Sequence, residues 1–220
     1  MAYSQIAVIL DRSGSMGSVK QATIDGFNEF VNKQKTNTNP TKLLLTQFDD
    51  VYEILYNRDV KEIQNLDNDT YQPRGTTALF DAIGKTVTDL GRELAVKTPE
   101  NRPDRVVVVI ITDGYENASK EYRQPQIAEM IKHQREKYSW EFVFLGATQE
   151  SVLAAQSFGM AAGMSAAYNS SNPSAVYRTM SAKLSSWANV SDPLAAAQFL
   201  DFTKEEKEDL LKDDKNPKKQ

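Results

Sequence analysis

"RVVVVIITDG", residues 105–114, holds six β-branched apolar residues in unbroken succession and then breaks into Thr112, Asp113 and Gly114. A strand with one face in water alternates apolar and polar residues. A run without alternation belongs to a strand covered on both faces, which is the usual lot of a central strand in a parallel sheet. Six residues are also far too few to cross a bilayer. The stretch therefore predicts a layered α/β protein with helices on both sides of a sheet.

The flanking sequence repeats that alternation. Upstream, Phe80, Ile83, Val87, Leu90 and Leu94 recur at helical spacing. Downstream come a helix from about Pro125 to Tyr138, the strand "WEFVFLGA" (140–147), a short helix near Val152–Ser157 and a weak strand around Met164–Tyr168. "NPSAVYRTMSAKLSSW" (172–187) places Pro173 in a helix's first turn, followed by a stripe of Val176, Tyr177, Met180, Leu184 and Trp187. At the other end, Tyr3–Leu10 reads as a buried strand. The helix after it carries Ile24, Phe27, Phe30 and Val31 and stops at "KTNTNP". "TKLLLTQF" and "VYEILYN" meet at Asp49-Asp50 as an antiparallel hairpin. Strands alternating with helices predict a doubly wound α/β fold, its central sheet mostly parallel with one antiparallel edge strand.

Composition narrows the function. A chain of 220 residues with 40% apolar content can bury one substantial core. Residues 1–190 are expected to form the domain, and 191–220 a charged C-terminal extension with a short helix and a disordered tail. In that extension Thr203 and Glu206 are spaced as a capping box. Net charge is −4 with both signs interspersed, which argues against nucleic acid as the partner. There is no cysteine, so disulfides, zinc–thiolate sites and thiol nucleophiles are excluded. "MAYSQIAVIL" lacks the basic and long apolar segments of a signal peptide, and the expectation is a cytoplasmic protein with no membrane association.

In open α/β sheets ligands sit beyond the carboxyl ends of the strands. Asp11 and Asp113 end the two strands that look most central, and "RGTTALFDAI" (74–83) puts Thr76 and Thr77 at a helix start. "DRSGSM" (11–16) sets Asp11, Ser13 and Ser15 at every second position. Alone it reads equally as a turn with a helix cap. With the other two segments it offers carboxylates and hydroxyls to one point, a donor set for a hard cation. Magnesium accepts one or two protein carboxylates and keeps waters. Zinc and copper call for His or Cys, of which the chain has one and none. Mg2+ or Mn2+ is the expected ion.

Together "DRSGSM", "RGTTALFDAI" and "ITDGYEN" (111–117) resemble the three motif segments of the von Willebrand factor type A domain, in order and placement, and "LTQFDD" (45–50) resembles its second strand. The likeness spans Tyr3 to Trp187, and "DRSGSM" is similar to intracellular bacterial or phage forms. It implies a Rossmann-like sheet of order 3-2-1-4-5-6 and a metal-ion-dependent adhesion site. On that likeness Ser13 and Ser15 bind the ion through hydroxyls, and Thr77, rather than Thr76, binds directly or through water. Asp11 and Asp113 act directly or through waters, and a partner protein's Asp or Glu takes the open position. Arg12 and Met16 are expected at an exposed rim, Glu116 and Asn117 in a polar loop, and His133 on a solvated helix. Two other readings stand beside this one. "SGSMG" (13–17) falls one residue short of a nucleophile elbow, which makes Ser15, Asp113 and His133 a candidate hydrolase triad. The third is a structural or assembly subunit that keeps the metal for stability.

Overall fold

The computed structural model describes residues 3–213. Six strands, β1 (Ser4–Asp11), β2 (Thr41–Phe48), β3 (Tyr52–Asp59), β4 (Arg105–Thr112), β5 (Glu141–Gly146) and β6 (Ser165–Ala167), form one sheet of order β3-β2-β1-β4-β5-β6. Every adjacent pair is parallel except β2–β3, the antiparallel hairpin at one edge. The helices are α1 (Lys20–Gln34), α2 (Leu79–Ala95), α3 (Gln124–Tyr138), α4 (Gln149–Ser157), α5 (Pro173–Asn189), the short α6 (Pro193–Ala196) and α7 (Lys204–Leu210). No helix among the described residues is long and apolar enough to cross a membrane.

The unbroken apolar run does what its composition demands. Val107, Val109 and Ile111 of β4 pack into one core layer, while Val106, Val108 and Ile110 pack into the other. β1 divides the same way, with Ile6, Val8 and Leu10 on one face and Ala7 and Ile9 on the opposite one. The first layer is closed by α1 and α5, through Phe27, Tyr177 and Trp187. The second is closed by α2, α3 and α4, through Ile83, Ile131 and Val152. Because both central strands are covered on both sides, only their ends meet solvent, and the carboxyl ends of β1 and β4 lie side by side.

The C-terminal segment is packed onto the first layer. The Thr203 hydroxyl accepts from the Glu206 N–H at 3.2 Å and the Glu206 carboxylate accepts from the Thr203 N–H at 2.9 Å, so the capping box forms and opens α7. Leu200 and Leu210 are completely buried beside Trp187 in the same core layer. Lys183, itself buried in α5, reaches across to the Glu206 carboxylate at 2.6 Å and to the Asp201 carbonyl at 2.7 Å. The expected disordered tail falls on 214–220, outside the described residues. Leu210→Ala is expected to cost about 2–5 kcal/mol in a denaturant titration, the range for truncating a buried leucine. A loss below about 0.5 kcal/mol, typical of a surface change, would mean that α7 does not belong to the folding unit.

Candidate metal centre

The parallel register sets Leu10 opposite Ile111, which brings Asp11 against Thr112 at the sheet's carboxyl edge. The Thr112 hydroxyl donates to Asp11 Oδ2 at 2.6 Å, and the Ser13 N–H donates to Asp11 Oδ1 at 2.6 Å. The Tyr71 hydroxyl donates to the Asp11 carbonyl at 2.7 Å. After Ser13 the chain winds into a 3-10 helix, Gly14–Val19, which turns Ser15 back over the strand end. There the Ser13 and Ser15 hydroxyls are 3.1 Å apart, and Ser15 Oγ donates to Asp113 Oδ1 at 2.6 Å. Residues 98 positions apart in the chain thus meet through one hydroxyl.

Thr77 comes in from the third side. It is buried, whereas Thr76 is exposed. A Cβ on Gly114 would lie 2.9 Å from Thr77 Oγ1, so the glycine after Asp113 is what allows these two loops to approach. The Thr77 N–H donates to the Asn117 side chain at 2.9 Å, and the Asn117 N–H returns a bond to the Thr77 carbonyl at 3.0 Å. Glu116 receives the Phe80 N–H at 2.8 Å at the start of α2. Asp81 receives the backbone N–H groups of Lys120, Glu121 and Tyr122 at 2.8–2.9 Å. The loop after β4 is therefore stitched to the head of α2; Asp11, Ser13, Ser15 and Asp113 are joined by hydrogen bonds, and Thr77 approaches Gly114, the residue after Asp113.

Arg12 and Met16 depart from expectation. Arg12 is 5% exposed and Met16 1%. The Arg12 side chain turns down beside the hairpin, with Nε 3.1 Å from Asp49 Oδ2 and Nη1 2.6 Å from Glu53 Oε2. Arg74 adds a second ion pair to the same Asp49 oxygen at 2.9 Å. Asp49 has no exposure, and its carbonyl accepts the Ala78 N–H at 2.9 Å. One buried carboxylate thus ties the β1 loop, the hairpin turn and the segment before α2 together. Gly75 belongs to that knot. Its φ of +65° is left-handed, and a Cβ there would strike the Asp50 carboxylate. Sequence reasoning missed Arg12, Asp49, Glu116 and Asn117 as organisers, since each reads locally as turn or rim.

His133 is exposed on α3 and lines a cavity with Arg105 and Val106, which begin β4. Asp113 follows the other end of that strand, whose eight residues extend over about 25 Å at ~3.3 Å each. The fold keeps His133 and Ser15 at opposite ends of the sheet, and the triad is not assembled. No group of three or more His, Cys, Asp and Glu side chains able to hold a metal occurs among the described residues, so any ion here relies on hydroxyls as well as carboxylates.

Burial pushes the Asp11 carboxyl up to about 6, against the opposing pull of the Thr112 and Ser13 hydrogen bonds. Burial raises Asp113 too, with the Ser15 bond opposing it. For an acid whose folded pKa is raised, the native state holds the proton more tightly than the unfolded chain. Its contribution is best below the unfolded value of 3.8 and is lost as pH rises through about 6. Metal-free protein should therefore lose up to about 3 kcal/mol over that window on account of Asp11. Asp11→Asn should flatten the profile between pH 4 and 6, as read by chemical denaturation in chelator. An unchanged slope would remove Asp11 as its source. Asp49→Ala should cost about 3–5 kcal/mol, because it removes the buried carboxylate facing Arg12 Nε and leaves the half-exposed Glu53 as that guanidinium's remaining acid. A thermal or urea melt within 1 kcal/mol of wild type would show that Arg12 finds water instead.

The sequence profile of the von Willebrand factor type A domain matches residues 5–181. No curated protein matches the chain. Among solved structures, the pilus adhesin SpaC of Lactobacillus rhamnosus GG in its open conformation aligns with a TM-score of 0.59 at 11% identity, over 86% of this chain and 30% of that one. A von Willebrand factor type A protein of Catenulispora acidiphila gives 0.56 at 12% identity, over 84% and 43%. The ArnB paralog VWA2 of Sulfolobus acidocaldarius gives 0.54 at 16% identity, over 83% and 45%. At these identities the likeness is one of fold, and the chain spans less than half the length of each.

Proposed function

Because the chain belongs to the von Willebrand factor type A domain family, we propose that its carboxyl-edge site holds one divalent cation, Mg2+ or Mn2+, and joins it to an Asp or Glu of a partner protein. Domains of this family serve in general as protein-interaction modules. The observation that carries the reading is the Ser15 hydroxyl, 3.1 Å from Ser13 Oγ and 2.6 Å from Asp113 Oδ1. Adjacent oxygens around an octahedral magnesium stand about 2.9 Å apart, given metal–oxygen distances near 2.0–2.1 Å. Ser15 Oγ already stands near that spacing from each of the other two atoms, and the donor set of hydroxyls with two carboxylates suits a hard cation.

Ser13, Ser15 and Thr77 are the residues that hold the ion, with Asp113 beside them. Asp11 already spends both carboxylate oxygens on the Ser13 N–H and the Thr112 hydroxyl. Its work is to fix the loop and to accept hydrogen bonds from waters on the ion. Hydroxyl ligands are neutral, so a bound cation keeps charge unquenched and offers a coordination position to an incoming carboxylate. On this reading the partner's carboxylate is bound without turnover, as suits a family of protein-interaction modules.

Magnesium is expected to raise the melting temperature reversibly, and chelator to remove the gain. Binding to the native state alone stabilises it by about 2.7 kcal/mol at a hundredfold excess over Kd. Ser13→Ala/Ser15→Ala should fold yet lose the response. A wild-type melt indifferent to magnesium and manganese, or a double variant that responds like wild type, would overturn the proposal.

A further inference from the structure

Beside the oxygen cluster lies an apolar cavity of about 170 Å³. It is lined by Leu79, Phe80, Phe144, Ala154 and Phe158, and by the segment Gly114–Glu116 that directly follows Asp113. Phe158 meets Phe80 edge-on at 5.4 Å and Phe144 edge-on at 6.3 Å between ring centres. Tyr115, half exposed, also lines the cavity, its hydroxyl 2.9 Å from Thr148 Oγ1. The polar groups around the cavity are already engaged. Glu116 receives the Phe80 and Ser119 N–H groups, Ser151 donates to the Thr148 carbonyl, and Gln124 donates to Ser157.

Resting on the metal-bridging reading above, we propose that this cavity is a second subsite of the same interface and takes a phenylalanine ring of the partner, close in sequence to the acid that meets the metal. Position argues for the link. A Cβ on Gly114 would lie 2.9 Å from the Thr77 hydroxyl, and Gly114 also lines the cavity, so the cavity begins one residue beyond Asp113. Size argues for the ring, since an apolar cavity of about 150 Å³ accommodates benzene. Chemistry argues for a hydrocarbon ring over a phenol, because most polar groups of the lining are already bonded within the protein. The three phenylalanines offer edge and face to an aromatic guest. The chain's own residues 214–220, "DKNPKKQ", contain no aromatic residue and cannot be the occupant.

The test uses the full chain and acetylated peptide amides in which one Asp is separated from one Phe, on either side, by zero to three glycines, each paired with a version carrying Ala for Phe. Affinities are measured by calorimetry or NMR titration in magnesium and in chelator. At one spacing or more, the Phe peptide should bind at least about tenfold tighter than its Ala partner in magnesium, the scale of burying one ring. Ala154→Leu fills the cavity from an exposed helix position, and should abolish that gain while leaving the Ala peptide's affinity unchanged. Magnesium-dependent binding of both peptide sets with no Phe gain at any spacing overturns the subsite and leaves the metal reading intact. A Phe gain that persists in chelator, or in Ala154→Leu, also overturns it. Absence of magnesium-dependent binding by every peptide overturns the metal-bridging reading, and the subsite with it.

Discussion

The hydrogen bond from Thr112 to the Asp11 carboxylate spans the two central strands at the point where their loops part. It exists because β1 and β4 run parallel and in register, so that two strand ends separated by a hundred residues of chain finish level with each other. That bond and the Ser13 N–H hold Asp11 against the desolvation that raises its pKa. Everything outside it, from the turn that returns Ser15 to the approach of Thr77 across Gly114, takes its position from this fixed end.

Around that point the fold spends its buried charges on backbone and on one another. Asp49, Asp81 and Glu116 receive loop N–H groups or buried guanidinium. The edge groups between them are mostly hydroxyls, Ser15 exposed and Ser13 and Thr77 buried. Such an edge is rigid because its ionic members are satisfied inside the protein, and only partly charged because its hydroxyls are neutral. Rigidity and incomplete neutralisation are both needed if a cation is to be gripped and still attract a carboxylate.

The two core layers differ in what they hold. The layer under α2, α3 and α4 carries the aromatic cavity beside Asp113. The layer under α1 and α5 is extended by Leu200, Phe202 and Leu210, which cap it from the C-terminal segment. The aromatic cavity therefore lies on the α2–α4 side, while the layer on the opposite side is closed by the chain itself.

Much was legible in the sequence. The unbroken run at 106–111 announced a central strand, and the helix stripes and the Asp49-Asp50 turn predicted the doubly wound sheet with its antiparallel edge, because strand and helix periods are local properties of side-chain order. Asp11, Asp113 and the Thr76–Thr77 pair could be singled out because they end strands or begin a helix, and the family resemblance pointed to Ser13, Ser15 and Thr77. Their convergence, the inward turn of Arg12 onto Asp49, and the roles of Glu116 and Asn117 were decided by the tertiary structure alone. So were the separation of His133 from Ser15 and the aromatic cavity walled by three helices and a strand. Sequence order sets which face a residue presents along its own element. Which distant element meets that face depends on strand register and loop packing, and these are properties of the assembled sheet.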